Sequence, residues 1–224
     1  MSKLYVVATP IGNLSDITFR AIETLKSVDL IICEDTRVTK ILLDHYEIHK
    51  QFFVINAQNE SKKIPELIEK IENGLNCALV SDAGTPSISD PGTRLVNAAV
   101  KSGINVIGIP GPSAVTLALS ISGLPTDSFV FEGFLPQKKG RQKKLQELAE
   151  EERTIVLYES TYRIEKLLNE IKEFMPERQI VVARELTKKF EELWRGKASE
   201  ILDGFDKKIT KGEFVLIIAP PDFM

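Results

Sequence analysis

The segment Leu79–Gly92, which reads LVSDAGTPSISDPG, constrains the fold more than any other part of the chain. A short apolar run ends at Ser81 and Asp82, and small, turn-forming residues follow. Such residues bring too little apolar surface to form a core, but they let a ligand approach the backbone closely. Asp82 supplies a carboxylate there. The sequence therefore predicts a strand that ends in a ligand-binding loop.

The end of this loop predicts the start of a helix. Asp90 is in place to be the N-cap, and Pro91 suits the first helical position. Apolar residues then recur at helical spacing until Gly103, which predicts a helix over 91–102. We expect the amino end of this helix to face the same site as Asp82.

The first half of the chain alternates between two apolar patterns. Short apolar runs predict five strands, and the segments between them have helical spacing. The strands are predicted at 3–8, 30–33, 52–55, 77–81 and 105–109. This alternation predicts an α/β fold with an open, mostly parallel sheet. Three loops rich in Gly, Pro, Ser and Thr, at 9–13, 82–90 and 110–113, should converge at the carboxyl ends of its strands.

A second α/β domain is predicted after a linker at 124–127, because Pro125 breaks the preceding helix and a strand begins directly afterwards. We therefore expect domains over 1–123 and 124–224. Strands are predicted in the second domain at 129–134, 155–158, 180–183, 191–194 and 213–219, and we expect them to form a mixed sheet.

Composition excludes several classes of protein. The 224 residues include 43% hydrophobic ones, as in an ordinary globular protein, and the net charge of −3 argues against a protein that coats nucleic acid. Cys33 and Cys77 lie in apolar runs without a partner at metal-ligand spacing, so we predict two buried thiols and no metal. His45 and His49 lack a third ligand nearby, which favours an exposed helix end.

The sequence also limits location and ligand class. The first apolar run is too short for a signal peptide, and no run approaches the ~18 residues of a membrane span, so we predict a cytoplasmic protein. Neither a Walker-type motif nor G-x-G-x-x-G occurs. A small molecule that bears a nucleoside or an amino acid remains as the candidate ligand.

Five ordered motifs resemble a known family: VATPIGNL at 7–14, CEDTR at 33–37, SDAGTPSISDPG at 81–92, IPGPSA at 109–114 and FEGFLP at 131–136. Together they resemble the tetrapyrrole-methylase-type, class III methyltransferases. Within these they are most similar to the 16S ribosomal RNA 2′-O-methyltransferase I branch. The resemblance extends over nearly the whole chain. Many members continue past the last strand into a small extension, whereas this sequence ends at Met224.

The resemblance implies a homodimer of two-domain chains that binds S-adenosylmethionine in the cleft between the domains. The implied acceptor is a cytidine ribose in the decoding region of small-subunit ribosomal RNA. By motif position, the implied cofactor contacts are Pro10, Asp82, Ala83, Gly84, Thr85, Pro110, Ser113 and Ala114. Methyl transfer from a sulfonium needs donor and acceptor to be aligned and water to be excluded. Asp82 could hold the cofactor's ammonium or ribose hydroxyls, while loop amides hold its carboxylate or adenine edge.

The acceptor hydroxyl is a weak acid that must lose its proton, so a nearby base or cation would help the transfer. Candidates follow three predicted strands: Glu34, Asp35 and Arg37; Glu159 and Arg163; and Arg184, Glu185 and Lys188. The basic run is the candidate RNA contact, although such runs are commonly solvated faces. Its cations are Lys138, Lys139, Arg141, Lys143 and Lys144. We predict that Trp194 and the phenylalanines form core.

Other interpretations stay open at this point. Asp82 could merely cap a turn, and residues 34–37 could be a capping cluster with a surface ion pair, with Thr36 as the cap of the next helix. The same cofactor chemistry could act on a tetrapyrrole or on another acceptor such as a modified histidine. A non-catalytic RNA-binding module with a degenerate pocket is a further alternative. A basic loop favours RNA, whereas a large apolar cleft would favour a macrocycle.

Overall fold

The computed structural model describes residues 2–205 and 210–223. The chain divides into two compact α/β units, 1–113 and 114–224, each with a five-stranded sheet. The predicted division lay at residue 123. The structure instead groups the helix Ala114–Ser122 with the second unit, because this helix packs against the strand Glu213–Ile218.

The first unit alternates strands and helices, as the sequence predicts. Its strands are β1 Lys3–Val7, β2 Leu30–Cys33, β3 Gln51–Val54, β4 Cys77–Leu79 and β5 Asn105–Ile109. Its helices are α1 Phe19–Ser27, α2 Thr36–His45, α3 Glu60–Glu72 and α4 Thr93–Lys101, with a short 3₁₀ helix at Leu14–Asp16. The strand order is β3-β2-β4-β1-β5, and all pairings are parallel. The carboxyl ends of β2, β4, β1 and β5 therefore lie side by side.

Both faces of this sheet are covered, because successive strand residues point to opposite sides. On one face Ile31 packs with Leu25 of α1, and on the other Ile32 packs with Leu67 of α3. Burying each such side chain contributes ~1.5–3 kcal/mol. Cys33 is a buried free thiol, as predicted, and burial raises its pKa to about 11.

The start of α4 differs from the prediction that Asp90 caps it and Pro91 opens it. The N-cap is Gly92, with φ +126°, and the helix begins at Thr93. The amide of Gly92 donates a hydrogen bond of 3.1 Å to Oε1 of Glu60, which is buried. A Cβ on Gly92 would lie 2.7 Å from Leu79 and 2.8 Å from Ser87, so only glycine fits here.

The second unit has the predicted mixed sheet. Its elements are α5 Ala114–Ser122, β6 Phe129–Phe134, α6 Arg141–Ala149, β7 Thr154–Ser160, α7 Ile164–Phe174, β8 Gln179–Arg184, β9 Glu192–Lys197, α8 Ala198–Asp203 and β10 Glu213–Ile218. The strand order is β6-β7-β10-β8-β9. Strands β6 and β7 are parallel, and the other pairs are antiparallel. The ends of β6 and β7 therefore lie together.

The prediction that Trp194 and the phenylalanines form core is confirmed for Trp194 but is wrong for Phe19, Phe129, Phe134 and Phe190, which are exposed. The side chain of Trp194 is buried on β9, and its ring contacts Phe205 and Phe214. Across the described ranges, no helix has both the length and the apolar character that crossing a membrane requires.

Candidate functional site

Three loops of the first unit are hydrogen-bonded to one another, as the sequence predicts. Thr9, after β1, and Gly84, after β4, exchange two backbone hydrogen bonds of 2.9 and 3.0 Å. The hydroxyl of Thr9 also donates to the carbonyl of Ser81 at 3.0 Å. After β5, the carbonyl of Pro112 accepts a hydrogen bond of 3.2 Å from the hydroxyl of Thr85. The loops after β1, β4 and β5 therefore form one structure.

Backbone conformation explains why the middle loop carries small residues. Gly84 has φ +79°, and a Cβ there would lie 3.3 Å from Ile11 and 3.9 Å from the carbonyl of Pro112. Ser87 and Ser89 also have positive φ values, 72° and 60°, in a region that residues other than glycine rarely adopt. Such strain is typical of ligand-binding loops, where the surrounding structure holds it in place.

A cavity of about 110 Å³ opens beside these loops, and Asp82 lies in its wall. Its lining is mostly apolar: Thr9, Pro10, Leu14, Val38, Thr39, Ile41, Leu42, Ser81 and Asp82. The amide of Asp35 donates a hydrogen bond of 3.3 Å to Oδ1 of Asp82. Asp82 itself is exposed. Its carboxylate can therefore accept further hydrogen bonds from a ligand.

Several carboxylates lie near one another at this edge of the sheet. Glu34 is partly buried at the end of β2, and its pKa is raised to about 7, first by burial and then by the charges of Asp90, Asp82 and Glu60. Burial and neighbouring acids also raise the pKa values of Asp82 and Asp90. Glu34 is thus close to half ionised near neutral pH.

The rest of the Glu34–Arg37 segment has a structural role. Asp35, and not Thr36 as predicted, is the N-cap of α2 and accepts a hydrogen bond of 2.8 Å from the amide of Arg37. The exposed guanidinium of Arg37 holds the same carboxylate. Its hydrogen bonds lower the pKa of Asp35 to about 2. Glu34 therefore interacts with the neighbouring carboxylates, whereas Asp35 caps α2 and forms an ion pair with Arg37.

The other predicted cofactor contacts lie around these loops. Ala83 is exposed next to Asp82, Pro10 is buried beside the cavity, and the carbonyl of Pro110 accepts a hydrogen bond of 3.4 Å from the hydroxyl of Thr18. Ser113 is the last residue of the first unit, and Ala114 begins α5 in the second.

Glu159, a predicted catalytic candidate, is buried inside the second unit. Its side chain has no exposed surface. Oε1 lies 2.8 Å from Nε of Arg163, and Oε2 lies 3.7 Å from Nη2 of Arg141. A carboxylate without solvent access that is shared by two guanidinium groups cannot contact an acceptor. The prediction that Glu159 is catalytic is therefore wrong. Its carboxylate instead positions Arg141 and Arg163.

The prediction that Arg141 contacts RNA is wrong. This residue is only 3% exposed, and its guanidinium contacts both carboxylate oxygens of Glu170 at 2.6–2.9 Å and the carbonyl of Pro136 at 3.1 Å. A guanidinium satisfied inside the protein cannot bind a phosphate. The remaining cations of the run reach solvent: Lys138, Lys139 and Lys143 are exposed, and Lys144 is partly buried.

The candidates after β8 hold a loop in place. Buried Arg184 donates to the carbonyls of Lys211 and Phe190 at 2.7–3.0 Å. Oε1 of Glu185 accepts hydrogen bonds from Nζ of Lys188 at 2.9 Å and from the amide of Glu213 at 3.0 Å. Because Glu185 is engaged twice and has φ +51°, it fits a loop anchor better than a base.

Sequence reasoning missed Glu60. An acid in the first turn of a helix is common and usually interacts only with the helix dipole. Here its buried carboxylate accepts the amide of Gly92 and adds to the charges around Glu34. The contact joins residues 32 positions apart in the chain, so no local pattern indicates it.

Comparison with known proteins agrees with this architecture. The family model "Tetrapyrrole (Corrin/Porphyrin) Methylases" matches residues 3–202. Among solved structures, diphthine synthase superposes with a TM-score of 0.75 at 11% identity, covering 98% of this chain and 90% of that one. Cobalt precorrin-4 methyltransferase superposes with a TM-score of 0.72 at 16% identity, covering 97% of this chain and 94% of the other. At these identities the likeness concerns the fold alone.

Relatives of much higher identity share one name, Ribosomal RNA small subunit methyltransferase I. The Thermotoga maritima protein is 47% identical over 219 residues, which are 98% of this chain and 99% of the relative. The Synechocystis protein is 52% identical over 221 residues, 98% of this chain and 79% of the relative. The Haemophilus influenzae protein is 50% identical and covers 96% of this chain and 77% of its own length. The chain therefore belongs to the tetrapyrrole (corrin/porphyrin) methylase family.

Proposed function

We propose that this protein transfers the methyl group of S-adenosylmethionine to the 2′-oxygen of a cytidine ribose in 16S ribosomal RNA. The observation that carries this proposal is the 47–52% identity, over nearly the whole chain, to proteins named small-subunit ribosomal RNA methyltransferases. The loops around Asp82 support the choice of cofactor, because an acid and close-lying backbone suit a ligand with both an ammonium and hydroxyl groups.

The loop residues of the first unit fit this cofactor. Gly84 has φ +79°, a backbone conformation that other residues rarely adopt, and without a side chain its amide and carbonyl groups can be approached directly by a ligand. Asp82 would accept hydrogen bonds from the ammonium or the ribose hydroxyls, and the amides of Ala83 and Thr85 would donate to the carboxylate. The apolar wall at Pro10 would exclude water from that part of the ligand. The cofactor supplies the methyl group as an electrophile on a sulfonium.

Among the predicted base candidates, Glu34 fits best. A general base works well when its pKa lies near the working pH, and burial among acids raises the pKa of Glu34 to about 7. We propose that a carboxylate oxygen of Glu34 accepts the proton of the acceptor hydroxyl. Arg37 would serve the fold by holding Asp35.

A polyanionic acceptor is favoured by two exposed lysines of the second unit. Lys138 and Lys139 are exposed and form no ion pair with any residue in the described ranges, so they are available to phosphates. A tetrapyrrole acceptor is the alternative, since solved proteins of this fold include uroporphyrin-III C-methyltransferase. Offering methyl-labelled S-adenosylmethionine with either unmodified small ribosomal subunits or uroporphyrinogen III separates the two. We expect label only with the subunits, and label only in the macrocycle would overturn the proposal.

We further propose that the protein acts as a homodimer in the cytoplasm and without a metal ion. Light scattering should give twice the chain mass of 25.1 kDa, and a monomer at working concentration would refute the dimer. The protein should be treated with EDTA, separated from the chelator and then added to ribosomal subunits in magnesium-containing buffer. Its rate of methyl transfer should equal that of untreated protein.

A further inference from the structure

An aromatic and basic surface lies at one edge of the second sheet, and its aromatic side chains have no role in the site above. Strand β6 ends at Phe134 and the neighbouring parallel strand β7 at Ser160, so the segments that follow them are close together. The basic loop follows β6, and Tyr162 and Arg163 follow β7. We call the group of Phe134, Lys143, Lys144, Tyr162 and Arg163 the stacking surface.

Phe134 is unusually exposed for a phenylalanine at the end of a strand. Its side chain is 51% exposed, and Tyr162 is 96% exposed. The ring of Phe134 packs against Tyr158 with centroids 5.6 Å apart, and the guanidinium carbon of Arg163 lies over it at 5.8 Å. This is a cation–π arrangement with part of the aromatic ring open to solvent.

The guanidinium of Arg163 is held in a fixed orientation. Its Nε lies 2.8 Å from Oε1 of Glu159 in an ion pair and donates a hydrogen bond of 3.2 Å to the hydroxyl of Ser160. Thr161, two residues before Arg163, exchanges hydrogen bonds of 2.6 and 2.7 Å with the backbone of Gly212. The buried carboxylate of Glu159 thus fixes a flat, charged group beside an exposed ring before any ligand arrives.

Cations border the same ring. A cavity of about 320 Å³ is lined by Glu132, Phe134, Leu135, Pro136, Gly140, Lys143, Lys144 and Glu147. This volume lies at the lower end of those of ligand pockets. Nζ of Lys144 lies 2.8 Å from Glu132, and Nζ of Lys143 lies 3.7 Å from Glu147. The cavity lining therefore combines the aromatic side chain of Phe134 with two ammonium groups, each of which is paired with a carboxylate.

We propose that the stacking surface binds one unpaired nucleotide of the substrate RNA, an inference that rests on the proposed function. Its base stacks on Phe134 and the guanidinium of Arg163, and its phosphate contacts Lys143 and Lys144. Unpaired RNA bases are recognised by stacking on aromatic rings and arginine planes, and phosphates by lysines. A second copy of the chain fits less well, because interface cores are depleted in the Lys and Glu residues that surround Phe134 here.

The test compares Phe134 with Phe129, which is on the same strand β6 at its opposite end and is 39% exposed. Stacking of one base contributes enough that F134A should raise the KM for small ribosomal subunits about 10-fold. F134L should behave like F134A, and F134W should restore the wild-type KM. F129A should keep the wild-type KM. Affinity for S-adenosylmethionine, measured by calorimetry, should be the same in all four variants.

Each outcome separates the inference from the proposed function. If the wild-type protein does not methylate small subunits, the proposed function fails. If it does and F134A keeps the wild-type KM, the nucleotide site is wrong while the function stands. If light scattering shows that F134A dissociates a wild-type dimer, the surface joins two copies, which also overturns the inference. Should F134A not fold, the difference between F134L and F134W decides.

Discussion

The amide of Asp35 donates a hydrogen bond of 3.3 Å to Oδ1 of Asp82, which ties the carboxyl end of β2 to that of β4. The same carboxylate lies in the wall of the cavity beside the small-residue loops. Asp82 therefore both joins two strands and remains open to a ligand. The proposed cofactor site depends on this carboxylate.

Replacing Asp82 should weaken cofactor binding more than it weakens the fold. D82A removes a charge-assisted hydrogen bond, a loss of ~1.5–3 kcal/mol, which corresponds to about a 10- to 150-fold lower affinity for S-adenosylmethionine. Calorimetric titration measures this. D44A, which removes an exposed acid paired with Lys40 on α2, is the matched control and should bind normally. Equal affinities for wild type and D82A would remove Asp82 from the site.

Alanine substitutions at Gly84 and Gly103 distinguish the cost of backbone strain from damage to the proposed cofactor site. Both have a left-handed φ, +79° and +70°, but a Cβ at Gly84 would meet Ile11 and Pro112, whereas at Gly103 the space is open. G84A and G103A should each lose ~1–2 kcal/mol of stability in urea unfolding. Only G84A should also lose cofactor affinity. A normal affinity in G84A would mean that the ligand does not approach this backbone.

Glu34 should make stability and rate respond to pH in opposite directions. Its folded pKa of about 7 lies above the ordinary value of 4.5, so the folded protein binds more protons than the unfolded chain between these values. The stability contributed by protonated Glu34 is full below pH 4.5 and is lost as the pH rises through about 7. The transfer rate should instead rise through pH 7, because the ionised form accepts the proton.

E34Q should flatten both profiles and lower kcat at least about 100-fold, the usual contribution of a general base. Urea unfolding and single-turnover rates at pH 5–8 measure the two responses. A wild-type pH–rate profile in E34Q would exclude Glu34 as the base. A wild-type pH dependence of stability in E34Q would show that another group titrates.

Arg141 should behave as a residue of the fold. R141M removes the contacts of Arg141 with the buried carboxylate of Glu159 and with the partly buried carboxylate of Glu170, and breaking a buried ion pair costs ~3–5 kcal/mol. The exposed Arg153, which pairs with Glu151, is the control, and R153M should change stability little. Urea unfolding measures both variants. If R141M is as stable as R153M, the contacts of Arg141 with Glu159 and Glu170 do not stabilise the fold.

Neutralising the exposed lysines of the basic loop should weaken RNA binding without changing cofactor binding. K138Q/K139Q/K143Q removes cations that are available to phosphates, so the apparent KM for small subunits should rise and its dependence on salt should become weaker. Cofactor affinity should not change. K26Q/K62Q/K101Q, three exposed lysines of the first unit, is the control of equal charge. Equal KM values for the two triple variants would argue against an RNA contact in this loop.

Local patterns were enough to predict the strands, the open parallel sheet and the convergence of three loops on Asp82. Apolar runs and small-residue loops are properties of short segments, and they agree with one another here. The N-cap of α4 and the burial of Arg141 could not be predicted. They depend on Glu60 and Glu170, which lie 32 and 29 residues away in the chain.

The functional candidates divide in the same way. Asp82 and Gly84 were predicted from loop composition; in the structure Asp82 lies in the wall of the cavity and Gly84 is hydrogen-bonded to Thr9. Glu34, Glu159 and Glu185 look alike in the sequence, since each is an acid after a buried strand. Their surroundings distinguish them: burial and then neighbouring acids raise the pKa of Glu34, arginines flank Glu159, and a lysine and an amide donate to Glu185.

The most direct test of the proposed methyl transfer to RNA is to map the transferred methyl group. Small ribosomal subunits that lack the modification are incubated with the protein and methyl-labelled S-adenosylmethionine, and the RNA is digested and analysed by mass spectrometry. We expect a single labelled nucleoside, a cytidine methylated on its 2′-oxygen, and no such product with E34Q. Label on a base, label in a ribosomal protein, or no label at all would contradict it.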